Sequence, residues 1–429
     1  MTQPTNAVSV SYLQRWRLLS RPARLYLLHV ALQTFSLAIV GLFFNITILA
    51  LGFSLDFLGV LNTVSFAAAA LLSVPLLWLM TRVSLRLALL SSALLQLVSV
   101  LLFAVLPSAA VLLVASGVGG AAAVLFEISA SPFMMRHSAL SSRDHLFSAN
   151  AAIRIGLAGL GSLLAGQLPG LAARLLGAGA ERSLSYRAAF GVAAIGLALA
   201  IIPLLLISDR GAAESAQAGE GQQAAAPAKI PTPAPRIPQP WRSLARHPAS
   251  LLKLLISPAL ISVGAALLIP YLNLFFKQRF VVGDQTLGAI FAALGVATGL
   301  AALIGPAISA RMGKIRTVVL TQALALPFLL LLGFAPLLGV AVGAALARAA
   351  LFNMGTPLYD AFAMERVDEG VRPTLIALIG GASSIGYAFA PLISTWVQAA
   401  YGFGPLFVAT GICYTLAVLA KYWFFVRNE

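Results

Sequence analysis

The sequence predicts an all-α integral membrane fold of twelve transmembrane helices in two pseudo-symmetric six-helix bundles. Three observations carry this: a composition too apolar to face water, twelve apolar runs of bilayer length, and an offset at which the second half repeats the first. Of the 429 residues, 60% are hydrophobic and 10% charged, and the mean hydropathy is +0.94. A soluble domain usually carries about 25% charged residues, so this chain cannot cover a water-facing surface.

A bilayer core of about 30 Å asks for roughly 20 residues of helix. Runs of that size fall at 25–51, 56–81, 85–106, 109–135, 144–168 and 186–207, and again at 252–276, 284–310, 316–335, 337–362, 373–398 and 403–426. The first is longer than the roughly 7–15 apolar residues of a signal peptide and reads as a retained span. Residues 25–207 and 252–427 then make the two bundles, after a cytoplasmic N-terminal segment, 1–24. Between the bundles, 208–251 is a cytoplasmic linker whose Ala, Gln, Gly and Pro bury little and oppose continuous helix.

The net charge of +15 is spread over loops. Arg15, Arg17, Arg21 and Arg24 precede the first run. Arg82, Arg86, Arg136, Arg143, Arg311, Lys314, Arg316, Arg366, Arg372, Lys421 and Arg427 follow even-numbered runs, on the same side as the linker. The opposite loops carry fewer, mainly Arg174, Arg182, Arg187, Lys277 and Arg279. By the positive-inside rule the termini and linker are cytoplasmic, and a bacterial inner membrane is expected. With no basic patch interleaved with aromatics, a nucleic-acid partner is not expected. The single cysteine, Cys413, excludes an intrachain disulfide.

The halves resemble each other. Pro132 maps onto Pro357 at an offset of 357 − 132 = 225, which also takes Gly156, Gly161 and Gly166 onto Gly381, Gly386 and Pro391. Offsets of 228 and 229 take Asn45 onto Asn273 and Arg82 onto Arg311. Two such halves about an axis along the membrane normal are a transporter architecture. The segment "GPAISARMGKIR" resembles the signature loop of the major facilitator superfamily, Gly-x-x-x-Asp-Arg-x-Gly-Arg/Lys-Arg/Lys. Arg311, Gly313 and Lys314 match, Ala310 stands at the Asp position, and Gly305 is one place early. "TRVSLR" in the first half keeps Arg82. The resemblance implies that these four residues control the sliding of neighbouring helices. "GLGSLLAG" resembles the fifth-span motif of facilitator antiporters and adds Gly161 to that gating set; the fourth-span arginine of drug antiporters is Val114 here.

Two arginines stand inside apolar runs. Arg348, in "ALARAALF", lies about 17 Å into its span and Arg154 about 15 Å into its own, both near the midplane. An arginine there costs about 2.5–3.5 kcal/mol unless it meets protein or water. Both are therefore expected to face a central cavity that holds an anion or carboxylate, the bland alternative being a lock between helices. Glu127 lies about 27 Å into the fourth run, which argues against a direct pair with Arg154. It reads as a protonatable coupling group or as a gate partner of Arg136 or Arg143. Asp360 reads as a helix lock or a proton carrier. Asn45, Asn273, Tyr271, Asn353 and Gln33 complete the expected cavity wall, and Pro270 is expected to break its helix.

Nothing points to an enzyme: the four histidines are scattered, and the glycine-rich "GVGG" lies inside a span without a preceding strand. No cofactor and no metal are expected. What remains is a secondary transporter of a small solute by alternating access, with protons as the coupling ion and the lipid bilayer around a monomer. Efflux of an amphipathic or anionic compound is the leading direction. Uptake of an organic solute, and a non-transporting receptor or scaffold of the same build, are the alternatives.

Overall fold

The computed structural model describes residues 19–80, 82–138, 140–177, 182–207, 248–367 and 372–427. Most of the 208–251 linker, with Trp241, Arg242 and Arg246, and most of the 1–24 segment therefore lie outside the described residues. Among the described residues, twelve helices are long and apolar enough to cross a membrane, as expected.

The first six spans are α1 (Arg21–Ala50), α2 (Leu55–Leu79), α3 (Leu85–Val105), α4 (Ala109–Arg136), α5 (Leu140–Ala165) with its short continuation α6 (Leu168–Leu176), and α7 (Arg182–Leu205). The seventh span is α8 (Pro248–Leu268), a 3-10 turn at Ile269–Tyr271 and α9 (Leu272–Phe280). Then follow α10 (Asp284–Met312), α11 (Lys314–Phe334), α12 (Leu338–Glu365), α13 (Arg372–Tyr401) and α14 (Gly404–Lys421), the last ending in a π-helical turn. The expected break at Pro270 is present, because proline removes a donor and clashes with the preceding turn.

Local chemistry sets the ends. Ser20, Ser54, Ser84 and Ser108 cap α1 to α4, each hydroxyl accepting from the backbone N–H three residues on. Two arginines that read as loop charges have a local task. Arg86, at the start of α3, donates to Leu204 O and Leu205 O at the end of α7. Arg187, near the start of α7, donates to Ala104 O and Val105 O at the end of α3. Each thus satisfies orphan carbonyls and the negative pole of its antiparallel neighbour.

The packing repeats. In the first bundle α1 lies on α5 and α7, α2 on α4, and α3 on α4 and α7. In the second, α8 lies on α13 and α14, α10 on α12, and α11 on α12 and α14, the same set with each span replaced by the one six spans later. The bundles meet where α5 packs on α10 and α2 on α13, a pair that the same operation interchanges.

The glycine offset found in the sequence marks equivalent crossings. A Cβ at Gly161 would meet Ala38 Cβ at 2.8 Å and Phe35 O at 2.9 Å, and one at Gly386 would meet Ser262 and Val263 backbone at 2.4 Å. These are the α1–α5 and α8–α13 crossings, where only a hydrogen lets the backbones approach. Gly156 and Gly381, the neighbouring repeat pair, have nothing within 4 Å.

One buried cluster joins both bundles, with Phe43 and Tyr186 of the first against Leu268, Tyr271 and Phe275 of the second. Two others stay within single bundles, around Tyr26 and Phe133 and around Tyr359 and Phe362. The halves are therefore closed at the face where α1 ends, here the clasped face. They part toward the face where α1 begins, here the basic face.

Gly161→Ala and Gly386→Ala are expected to cost about 1–3 kcal/mol by overpacking, while Gly156→Ala and Gly381→Ala leave stability unchanged or raised. Thermal unfolding of the four purified variants checks this, and equal losses in both pairs would contradict the packing assignment.

Candidate functional site

Between α5 of the first bundle and α8, α10, α11 and α12 of the second lies a cavity of about 460 Å³. Arg154 and Arg348 both line it, so the two midplane arginines, one from each bundle, share a wall. Its other polar side chains are Ser162, Thr298 and Asn353, in a lining otherwise of Leu, Ile, Phe, Ala and Gly. Asn353 donates to Thr298 Oγ1 at 3.5 Å across α12 and α10.

Arg154 pairs with Glu127: Nη2 lies 2.7 Å from Oε1 and Nη1 3.5 Å from Oε2. This corrects the depth argument against the pair. Helix α5 begins at Leu140, earlier than its apolar run, so Arg154 sits 154 − 140 = 14 residues from the basic face and Glu127 sits 136 − 127 = 9. The difference is about 7.5 Å, which two long side chains span. The expected alternative partners of Glu127, Arg136 and Arg143, are not needed. Both side chains of the pair remain accessible, at 45% and 57%.

Arg348 is held differently. It is 8% exposed and donates from Nη2 to Tyr414 Oη at 2.9 Å. Its guanidinium carbon lies 5.1 Å from the Phe352 ring centroid and 5.6 Å from that of Tyr414. Its Nε is buried without a partner, and among the described residues no carboxylate reaches it. Arg348 is thus a permanent cation that lines the cavity without a carboxylate partner among the described residues.

Several residues expected at the cavity wall hold the clasped face instead. Asn45 Nδ2 donates to Asn273 Oδ1 at 2.9 Å and to Pro270 O at 2.6 Å, and Asn273 Nδ2 donates to Leu42 O at 2.8 Å. Tyr271 donates to Pro391 O and accepts from Asn62. The carbonyl freed by the Pro270 break thus receives an amide from the other bundle. Beside them Asp284 pairs with Lys277 and accepts from Tyr186 Oη at 3.1 Å. Gln33 is buried in the first bundle beside His29, away from the cavity.

At the basic face Lys314 pairs with Glu365, tying the signature loop to the end of α12. Gly313 carries φ 83°, a left-handed conformation that favours glycine. Arg311 is exposed, and Arg82 stacks over Trp78 at 4.1 Å. Asp360 lines a smaller cavity of the second bundle together with Lys421. Lys421 corrects its reading as a loop charge: it is 1% exposed, inside the bundle. The signal was present, since five apolar residues, "YWFFV", follow it.

The family model described as Major Facilitator Superfamily matches residues 26–280 and 254–429. No curated protein matches the chain. Among solved structures, a D-xylose-proton symporter is 15% identical with a TM-score of 0.71, over 96% of this chain and 98% of that one. A bacterial homologue of the human lysosomal transporter Spinster, inward-facing and unoccupied, is 17% identical with a TM-score of 0.70, over 97% and 96%. The nucleoside transporter NupG is 14% identical with a TM-score of 0.67, over 95% and 98%. At such identities the likeness is one of fold.

Because the Arg154–Glu127 pair is accessible, Glu127→Gln and Arg154→Ala are each expected to change stability by only about 0–1 kcal/mol. A loss of several kcal/mol on thermal unfolding would show a pair sealed from water. Asp284→Asn is expected to loosen the clasp. In a Cys413→Ser background, an impermeant maleimide applied from the clasped face should then label Ser162→Cys faster, and unchanged labelling would remove Asp284 from the clasp.

Proposed function

The chain belongs to the major facilitator superfamily, whose members are secondary transporters of small solutes, and we propose that it moves an amphipathic organic anion together with a proton. One observation carries this reading: an arginine from each bundle faces a single apolar cavity, and one of them is already balanced by a carboxylate. Pockets for drug-sized ligands measure about 300–1,000 Å³, and 460 Å³ falls within that range.

The direction follows from linkage. Glu127 occupies Arg154 when ionised. A proton on Glu127 releases the guanidinium, which then takes the anion. By reciprocity an anion on Arg154 favours the proton on Glu127. Proton and anion bind together, and a carrier that binds two species together moves them the same way. Under an inward proton gradient this is uptake, with the basic face cytoplasmic by its charge asymmetry. Efflux by proton exchange needs the two to exclude each other, which this pair does not provide. Of the fifth-span glycines behind the efflux expectation, Gly161 serves the α1–α5 crossing and Gly159 and Gly166 the α5–α10 contact between the bundles, and close packing of this kind sets no direction.

The test uses proteoliposomes and a panel of amphipathic sulfonates and carboxylates. An imposed pH gradient should drive accumulation on the alkaline side, and Arg348→Ala should reduce it about 10-fold or more, as loss of a charged hydrogen bond does. Glu127→Gln should abolish accumulation yet keep anion exchange. Accumulation on the acid side establishes efflux instead, and no flux under any gradient establishes the receptor reading.

A further inference from the structure

The second bundle holds another cavity, of about 210 Å³, on the basic side of Arg348. Its polar wall includes Lys421, Asp360, Gln322, Thr356 and Tyr387. An ammonium offers three donors. Lys421 gives one to Gln322 Oε1 at 2.6 Å and rests 4.8 Å from the Tyr359 ring centroid. The Tyr359 hydroxyl itself donates elsewhere, to Leu254 O at 2.6 Å. Among the described residues no carboxylate comes within ion-pair distance of Lys421. Asp360 lines the same cavity without reaching it.

A buried cation with one polar partner is costly unless something else completes its shell. Here the remaining donors adjoin open volume. The cavity is also continuous in material with the arginine site. Phe352 stacks on Tyr414 at 4.4 Å, Arg348 lies over both rings, and Phe352 lines the Lys421 cavity. Tyr414 and Lys421 are seven residues apart on α14, hence on one face and about 10.5 Å apart. A buried arginine and a buried lysine thus stand in file between the midplane and the basic face.

We propose that the cavity around Lys421 is a second binding station for the carboxylate of an organic anion, which takes it from Arg348 toward the basic face. This rests on the reading that the solute is anionic. Asp360 opposes the charge of the empty station, so an anion held there is free to leave.

The test measures benzoate binding to the full-length protein in nanodiscs by thermal stabilisation, with chloride as the ionic control. Lys421→Met should weaken benzoate by about 10-fold or more, and Lys421→Arg should preserve binding. Asp360→Asn, which keeps the lysine and removes the opposing carboxylate, should tighten it. If Lys421→Met does not fold, Asp360→Asn decides, and unchanged affinity there overturns the station. If Arg348→Ala abolishes binding while Lys421→Met leaves it intact, the station falls and the anionic reading stands. If no form responds to benzoate, both fall.

Discussion

A basic side chain within a membrane span must be given a partner, an aromatic face or water, and this requirement organises the polar interior of the protein. The chain meets it in two ways. Arg154 is neutralised by Glu127, Lys277 by Asp284, and Lys314 by Glu365. Arg348 and Lys421 have aromatic faces and a single neutral hydrogen-bond partner each. Cation–aromatic contact contributes roughly 0.5–2 kcal/mol, less than the cost of a charge at the bilayer centre on most scales. On the proposed reading, the shortfall is what makes these two positions receptive, because an anion that enters completes their shells.

The repeat gives the bundles the same scaffold but not the same chemistry. Helix pairings, glycine crossings and inter-bundle contacts interchange when each span is replaced by the one six later. The charges do not: at an offset of 225, Glu127 and Arg154 fall on Phe352 and Ile379. A symmetric scaffold supplies two nearly equivalent ways for the halves to meet, while the asymmetric charges bias which is occupied. Here the clasp of Asn45 with Asn273 and of Tyr186 with Asp284 holds one face. These are short neutral or mixed contacts, each contributing about 0.5–3 kcal/mol, a scale at which ligand binding shifts the balance.

Much of this was legible in the sequence because membrane constraints act locally. A span must be apolar for about 20 residues, so twelve runs appear. Proline cannot continue a helix, so Pro270 marks the break, and backbones that touch need glycine, so Gly161 and Gly386 mark matched crossings. The pairing of Glu127 was not legible from depth, because α5 extends through the polar stretch "LSSRDH", which no hydropathy argument assigns to a span. Lys421 was hidden for the converse reason, since a lysine close to a span end reads as a loop charge. Asn45 and Asn273 show a third limit. The repeat singles them out, but whether they face a solute or each other depends on which face is closed, and the sequence serves both arrangements.

The proposed anion–proton reading requires that no anion move without a proton, and the position of the paired cation relative to the unpaired ones bears on this. If Arg154 stood free beside Arg348, the empty cavity would attract any anion at once. With Glu127 in place, the first bundle's side of the cavity carries a balanced pair, and only Arg348 of the second presents an unpaired charge there. An anion resting on Arg348 alone touches one half of the molecule and gives no reason for the halves to move together. An anion that also engages Arg154 bridges both, and it does so only after Glu127 has let go. On the proposed reading, the bridging step rather than binding itself is conditional on the proton, which is where coupling has to reside in an alternating-access carrier.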